Sequence, residues 1–241
     1  MTSLPVGPRL LRADRPTGET GFSVLLGPDY AGKSSVLLTL ARAGWQCVSY
    51  DDELVRPECS EVNELLGGFV PRAVRGIGTY YSPDFVVTLL QTAVVYLRDQ
   101  VLRAPPGAPV IVDSYYYKIL AKCMLTGLVN EEMFAWWRSF PRPRQVIFLD
   151  VDPETAWQRC GQGARSNPFE HYGAAPTREG FVRFQTDLRQ LMLAEVDAVR
   201  LAVIEATGGV EHVADAVIQH VSQQVSQQVR RRRDGAARLC G

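Results

Sequence analysis

The sequence predicts an α/β fold: a parallel five-stranded sheet with helices on both faces. Three observations predict it. Apolar runs of strand length recur at 22–26, 45–50, 109–113, 145–150 and 201–204. Segments with helical spacing separate these runs, and strands alternating with helices mark a parallel sheet. The stretch Gly27-Pro28-Asp29-Tyr30-Ala31-Gly32-Lys33-Ser34 joins the first run to the first helix. Such a junction lies at the carboxyl end of a strand, where open α/β sheets bind ligands.

Residues 1–20 carry Pro5, Pro8 and Pro16 and read as a poorly ordered lead-in. The first helix runs from Ser35 to about Ala43 and stops at Gly44. The second strand leads into Asp51-Asp52-Glu53, and a short helix is expected from Glu61 to Leu66. Gly67-Gly68 and Gly76-x-Gly78 bracket a segment expected to be flexible and basic, holding Arg72 and Arg75. Ser82 or Asp84 caps a long helix beside Pro83. That helix carries Phe85, Leu89, Val94, Leu97 and Val101, and it stops before Pro105-Pro106-Gly107. The third strand ends in Asp113, and a helical segment is expected from there to about Phe140. The fourth strand ends in Asp150, and Pro153-Glu154-Thr155 opens a helix to Cys160. Residues 161–176, rich in glycine, polar and basic side chains, read as a mobile loop. A helix over 178–198, the fifth strand and a helix over 209–221 complete a single domain over 21–221. Residues 222–241, with Arg230 to Arg233, read as a disordered tail.

The chain has 241 residues, 46% hydrophobic, with 26 basic against 26 acidic side chains. Zero formal charge gives no bulk attraction to nucleic acid or to an anionic membrane, so any anion must be held locally. Five scattered cysteines without a C-x-x-C pair suggest no disulfide framework and no zinc site. With no signal-peptide pattern and no run near the roughly 18 apolar residues of a membrane span, a soluble cytoplasmic protein is expected. Lysine is scarce: Lys33, Lys118 and Lys122 are the only three. That scarcity reads mainly as genome composition, but it makes the lysine of the glycine-rich stretch less accidental.

The stretch Gly27 to Ser34 matches G-x-x-x-x-G-K-[ST], and strand, loop and helix in that order predict a P-loop NTPase fold. In such a loop the backbone N–H groups face phosphate, and the helix N-terminus adds partial positive charge. Gly27, Pro28, Asp29, Tyr30, Ala31, Gly32, Lys33, Ser34 and Ser35 are therefore the candidate nucleotide-binding residues. Lys33 would reach the β- and γ-phosphates of ATP, and Ser34 would hold Mg²⁺. Asp113, at a strand end beside the loop, is the second candidate metal ligand. Its alternative is a cap on the next helix. Asp51 and Asp52 follow the second strand, where an acceptor would arrive; either would orient it or take its proton, and surface acids are the alternative. Arg159 and Arg165 belong to a segment that would close as a flexible lid over the phosphates, with Arg165 the better candidate for neutralising transition-state charge. Tyr115 would face the substrate cleft, where a flat base stacks, and Arg72 is a further candidate substrate contact.

These parts, in this order, resemble the thymidylate kinase and deoxynucleoside kinase group of P-loop kinases. The loop is similar to the G-x-D-R-A-G-K-S of some thymidylate kinases, a resemblance that implies a role for Asp29 near the acceptor sugar. Pro109 to Tyr115 resembles the family strand ending in D-R-[YH], and Phe148 to Ala156 the L-D-x-x-P-E-x-A stretch. Leu90-Gln91-Thr92 is similar to F-Q-T, which implies that Gln91 pairs with a base. Ser114, Tyr30 and Pro168 replace family arginines, and Asp51-Asp52 replaces E-P or R-E-P. The resemblance implies an ATP- and Mg²⁺-dependent kinase acting on a nucleoside, nucleotide or related small molecule, and it allows a homodimer. Two alternatives stay open: a kinase of a non-nucleoside hydroxyl compound in specialised metabolism, and a catalytically silent ATP-binding protein.

Overall fold

The computed structural model describes residues 21–105, 108–196 and 199–222. The expected lead-in and the expected tail beyond Ser222 lie outside the described residues. The elements are β1 (Phe22–Leu26), α1 (Lys33–Arg42), β2 (Gln46–Val48), α2 (Ser60–Glu64), α3 (Val70–Arg75), α4 (Pro83–Arg103), β3 (Val110–Asp113), α5 (Tyr117–Leu125), α6 (Glu131–Arg138), β4 (Gln145–Asp150), α7 (Pro153–Arg159), α8 (Arg178–Glu195) and β5 (Leu201–Glu205). A helix α9 over 210–222 follows.

The five strands form one sheet in the order β2-β3-β1-β4-β5, every pair parallel. β1 lies at its centre with Val24 opposite both Val112 and Val146, and all five of its residues are buried. A strand covered on both faces reads as a continuous apolar run, which is why β1, β3 and β4 were visible in the sequence. One core on one face joins Val24, Val94, Leu97, Val112, Phe148 and Phe184. The other joins Leu25, Leu37, Leu40, Ile111, Ile147 and Phe181. The sheet order sends the ends of β1, β2 and β3 to one rim, and there the glycine-rich loop, Asp51 and Asp113 meet.

Among the described residues, α4, α6, α7 and α8 start on side-chain caps. Ser82 accepts the Phe85 N–H at 3.1 Å, Asn130 that of Met133 at 3.0 Å, Asp152 those of Glu154 and Thr155, and Thr177 that of Gly180. Asn130 splits the helical segment expected to run from Asp113 to Phe140 into α5 and α6. The basic segment expected to be flexible is helical: a π turn over Leu65–Phe69 absorbs Gly67-Gly68 and passes straight into α3. α4 has 21 residues and holds an 18-residue window of mean hydropathy 1.3, long and apolar enough by length and composition to cross a membrane, although Gln91, Arg98, Asp99 and Gln100 interrupt its apolar residues. Val86, Val87, Val94, Leu97 and Val101 of this helix are buried inside the domain core.

Candidate active site

Unlike those four, α1 has no side-chain cap. Its N-cap residue is Gly32, in the left-handed region with φ 88°, and no acidic residue lies in its first turn. The first-turn N–H groups are thus left for a ligand, and the glycine-rich loop wraps the space in front of them. Gly27 is required by close approach, because a Cβ there would lie 2.5 Å from the Leu149 carbonyl oxygen. Tyr30, at φ 60°, occupies the left-handed region without being glycine. Such strain is tolerated where surrounding contacts hold the residue in place.

Lys33 is buried and donates to the Gly27 and Pro28 carbonyls at 3.3 Å each, folding back over the loop. The Ser34 hydroxyl donates to Asp51 Oδ2 at 2.8 Å. The Asp51 N–H donates to Ser49 Oγ at 3.1 Å, and Ser49 Oγ donates to Asp113 Oδ2 at 3.1 Å. Ser114 Oγ donates to Asp113 Oδ1 at 2.8 Å. One continuous network therefore links the loop serine to both strand-end carboxylates. Asp52 beside it is exposed. Asp150, the remaining strand-end carboxylate, is held by the Arg189 guanidinium at 2.8 and 2.6 Å and takes no part in this network.

The sequence reading missed what faces Lys33 from α5. Lys118 and Lys122, one turn apart, both pair with Asp29, at 2.5 and 2.9 Å. All the lysines of the chain thus gather at this loop. Gln185 of α8 closes the other side, accepting the Asp29 N–H at 3.0 Å and donating to Asp29 Oδ2 at 3.0 Å and to the Glu170 carbonyl at 3.1 Å. Burial favours the neutral acid at Asp29, but the Lys118 and Lys122 charges overcome it and hold the carboxyl well below the usual carboxylate range. Asp29 is accordingly turned into these partners, with 7% of its surface exposed, rather than out toward an acceptor sugar. Burial, then the Lys118 charge, pushes the Lys33 ammonium down to about 7. Burial works against Lys118 too, yet the Asp29 charge and hydrogen bond hold it above the ordinary lysine range.

The segment over 161–176 is tied to the loop. The Tyr30 hydroxyl lies 2.7 Å from the Arg165 carbonyl oxygen and 3.0 Å from Glu170 Oε2, its one proton serving these two acceptors. Arg159 donates to the Tyr30 carbonyl at 3.2 Å and to the Ala206 carbonyl at 2.8 Å. Arg165 donates to the Arg159 carbonyl, and its guanidinium lies 6.0 Å from the centre of the Tyr30 ring. Both candidate lid arginines are therefore engaged with backbone. We expect Tyr30→Phe to cost about 1–2 kcal/mol through loss of the hydroxyl that bridges Arg165 and Glu170. Equilibrium urea unfolding checks this, together with faster proteolytic nicking between 161 and 176.

One candidate is turned away from the loop. Tyr115 is fully buried, its ring 5.3 Å from that of Phe22, so it lines the core and not a cleft. The cause is a hook after β3: Ser114 and Tyr115 both have positive φ, 55° and 47°, and the chain doubles back. Arg72 is exposed on α3, 5.9 Å from the centre of the Phe69 ring. Gln91 is half-buried on α4, and Ser35 is exposed in the first turn of α1.

The central phosphate-type loop, the parallel sheet and its flanking helices define a P-loop NTPase fold. The chain superposes on a deoxyadenosine kinase from M. mycoides with dCMP and dCDP bound, with a TM-score of 0.59 and 14% identity over 84% of this chain and 99% of that one. A second structure of a deoxyadenosine kinase from M. mycoides, with dATP bound, gives 0.53 and 13% over 83% and 99%. In sequence, 86 residues are 35% identical to a thymidylate kinase of Caenorhabditis elegans, covering 33% of this chain and 38% of that protein's length. No protein-family profile matches the chain.

Proposed function

We propose that this chain is an ATP- and Mg²⁺-dependent phosphotransferase that moves the γ-phosphoryl group to a nucleoside, nucleotide or related small molecule. One observation carries this: the uncapped loop holding Lys33 is hydrogen-bonded, through Ser34, Asp51 and Ser49, to the strand-end carboxylate Asp113. The likenesses to deoxyadenosine kinases and to a thymidylate kinase support the nucleoside or nucleotide class of acceptor. The loop amides and Lys33 hold the triphosphate. The hydroxyl of Ser34 and the carboxylate of Asp113 are hard oxygen donors of the kind magnesium takes, so the residues fit that ion. Bound there, it would supply charge neutralisation to the phosphate oxygens. Asp51, at the mouth of β2, takes any proton the acceptor oxygen carries, with exposed Asp52 orienting the acceptor. The protein works in the cytoplasm on this reading.

Incubation with MgATP and panels of nucleosides, nucleoside monophosphates and other small alcohols, following ADP, tests the assignment. Turnover with a nucleoside or nucleotide is expected. Turnover confined to non-nucleoside alcohols would shift the acceptor class, and tight ATP binding without any turnover would leave a silent binding protein.

The lysine cluster gives a second expected result. An ordinary lysine keeps its proton to about pH 10.4, whereas Lys33 loses its proton near 7. At pH 8 it is mostly neutral, and a bound triphosphate favours its charged form. Binding should therefore take up about one proton at pH 8, and affinity should fall as pH rises above 7. Calorimetric titration of MgATP in buffers of different ionisation enthalpy measures the uptake, and Lys33→Met should remove it.

A further inference from the structure

Phosphoryl transfer needs positive charge on the equatorial oxygens of the transferred group. Arg159 and Arg165 are bound to the carbonyls of Tyr30, Ala206 and Arg159. Where related kinases carry an arginine after the third strand, Ser114 stands, and its hydroxyl is turned onto Asp113. Four residues further on, past the hook at Ser114 and Tyr115, Lys118 enters the site from the first turn of α5. Its ammonium lies 2.5 Å from the carboxylate of Asp29 in the loop that holds Lys33.

Resting on the kinase reading above, we infer that Lys118 is a catalytic cation, delivering its ammonium to the transferred γ-phosphoryl group in place of the missing arginine. Pairing with Asp29 alone does not account for it. Asp29 already has Lys122 at 2.9 Å and the Gln185 amide at 3.0 Å, so Lys118 is a second ammonium on that carboxylate, with Glu170 3.9 Å from Lys122. Asp113, the other carboxylate whose charge reaches Lys33 and Lys118, is the one assigned to the metal. In the transfer the acceptor oxygen bonds to the γ-phosphorus while the bond from that phosphorus to the β–γ bridging oxygen breaks. The electron pair of that bond leaves on ADP, any acceptor proton passes to Asp51, and Lys118 stays protonated throughout. Asp29 holds Lys118 in the charged form before the ligand arrives, which is the use the structure makes of a loop carboxylate turned inward.

Lys118→Met and Lys118→Arg in the full chain test this, with three readouts: affinity for MgATP, affinity for MgADP with aluminium fluoride, and kcat with the best acceptor of the panel. The expected result is a Lys118→Met protein whose MgATP affinity changes less than about fivefold while kcat and fluoroaluminate affinity fall together by about 10²–10³-fold. Lys118→Arg should recover part of both. If Lys118→Met melts too low to assay, Lys118→Gln, which keeps a donor on Asp29, carries the same comparison. Wild-type kcat and fluoroaluminate affinity in a folded variant would overturn the inference, as would losses no larger than the loss of MgATP affinity. A wild-type chain that fails to bind MgATP overturns the kinase reading itself, which separates the two failures.

Discussion

Lys33→Ala should abolish phosphoryl transfer, lowering kcat by about 10²–10³-fold or more, while the protein stays folded. Lys33 makes only two long hydrogen bonds to loop carbonyls, and its ammonium is the one that burial and Lys118 push toward neutrality. Its removal relieves repulsion and leaves no carboxylate unpaired, since Asp29 keeps Lys118 and Lys122. A thermal midpoint equal to or above wild type should therefore accompany lost turnover. Circular dichroism melting and the ADP assay on one preparation measure both. A variant that keeps turnover would show that the loop does not hold the donor phosphates.

Asp29→Ala should show the opposite balance, with a large loss of stability. The buried carboxylate is the shared partner of two partly buried ammonium groups and accepts the Gln185 amide. Breaking a buried pair from one side costs about 3–5 kcal/mol, because the remaining charge stays buried without compensation. The sign with pH follows from the shift. Asp29 is held well below the usual carboxylate range, so its contribution is fully present above the unfolded value of about 3.9 and is lost as pH falls through the folded one. The difference between wild type and Asp29→Ala should stay constant from pH 5 to 7 and shrink only below about pH 4. Urea unfolding at several pH values measures it. Pyrophosphate should rescue part of the loss, since an anion can take the place of the missing carboxylate.

The strands and the phosphate loop were legible because both are local. β1, β3 and β4 are buried on both faces and read as unbroken apolar runs, and the loop motif carries its own geometry. The caps at Ser82 and Asn130 were equally open to reading, and only the second was passed over, so α5 and α6 were merged. Gly67-Gly68 suggested flexibility, but a π turn uses both glycines within a helical run, since tertiary packing outweighs helix propensity there. Tyr115 was misplaced because two successive positive φ angles turn its ring into the core, and nothing in the string Asp113-Ser114-Tyr115 announces that hook. The convergence of Lys118 and Lys122 on Asp29, 89 and 93 residues away along the chain, is set by the packing of α5 against α8 and the loop. Its one trace in the sequence was the scarcity of lysine itself. Tyr30 read as a departure from related kinases, whereas in the fold it is the strut that ties the loop to Arg165 and Glu170.

Label transfer from ATP carrying ³²P at the γ-phosphate, with the full chain, magnesium and the nucleoside and monophosphate panels, tests the central claim most directly. The expected result is label on one nucleoside or nucleotide acceptor, dependent on magnesium and lost in Lys33→Ala. Label that remains in ATP across every panel, while the chain binds MgATP tightly, would contradict it.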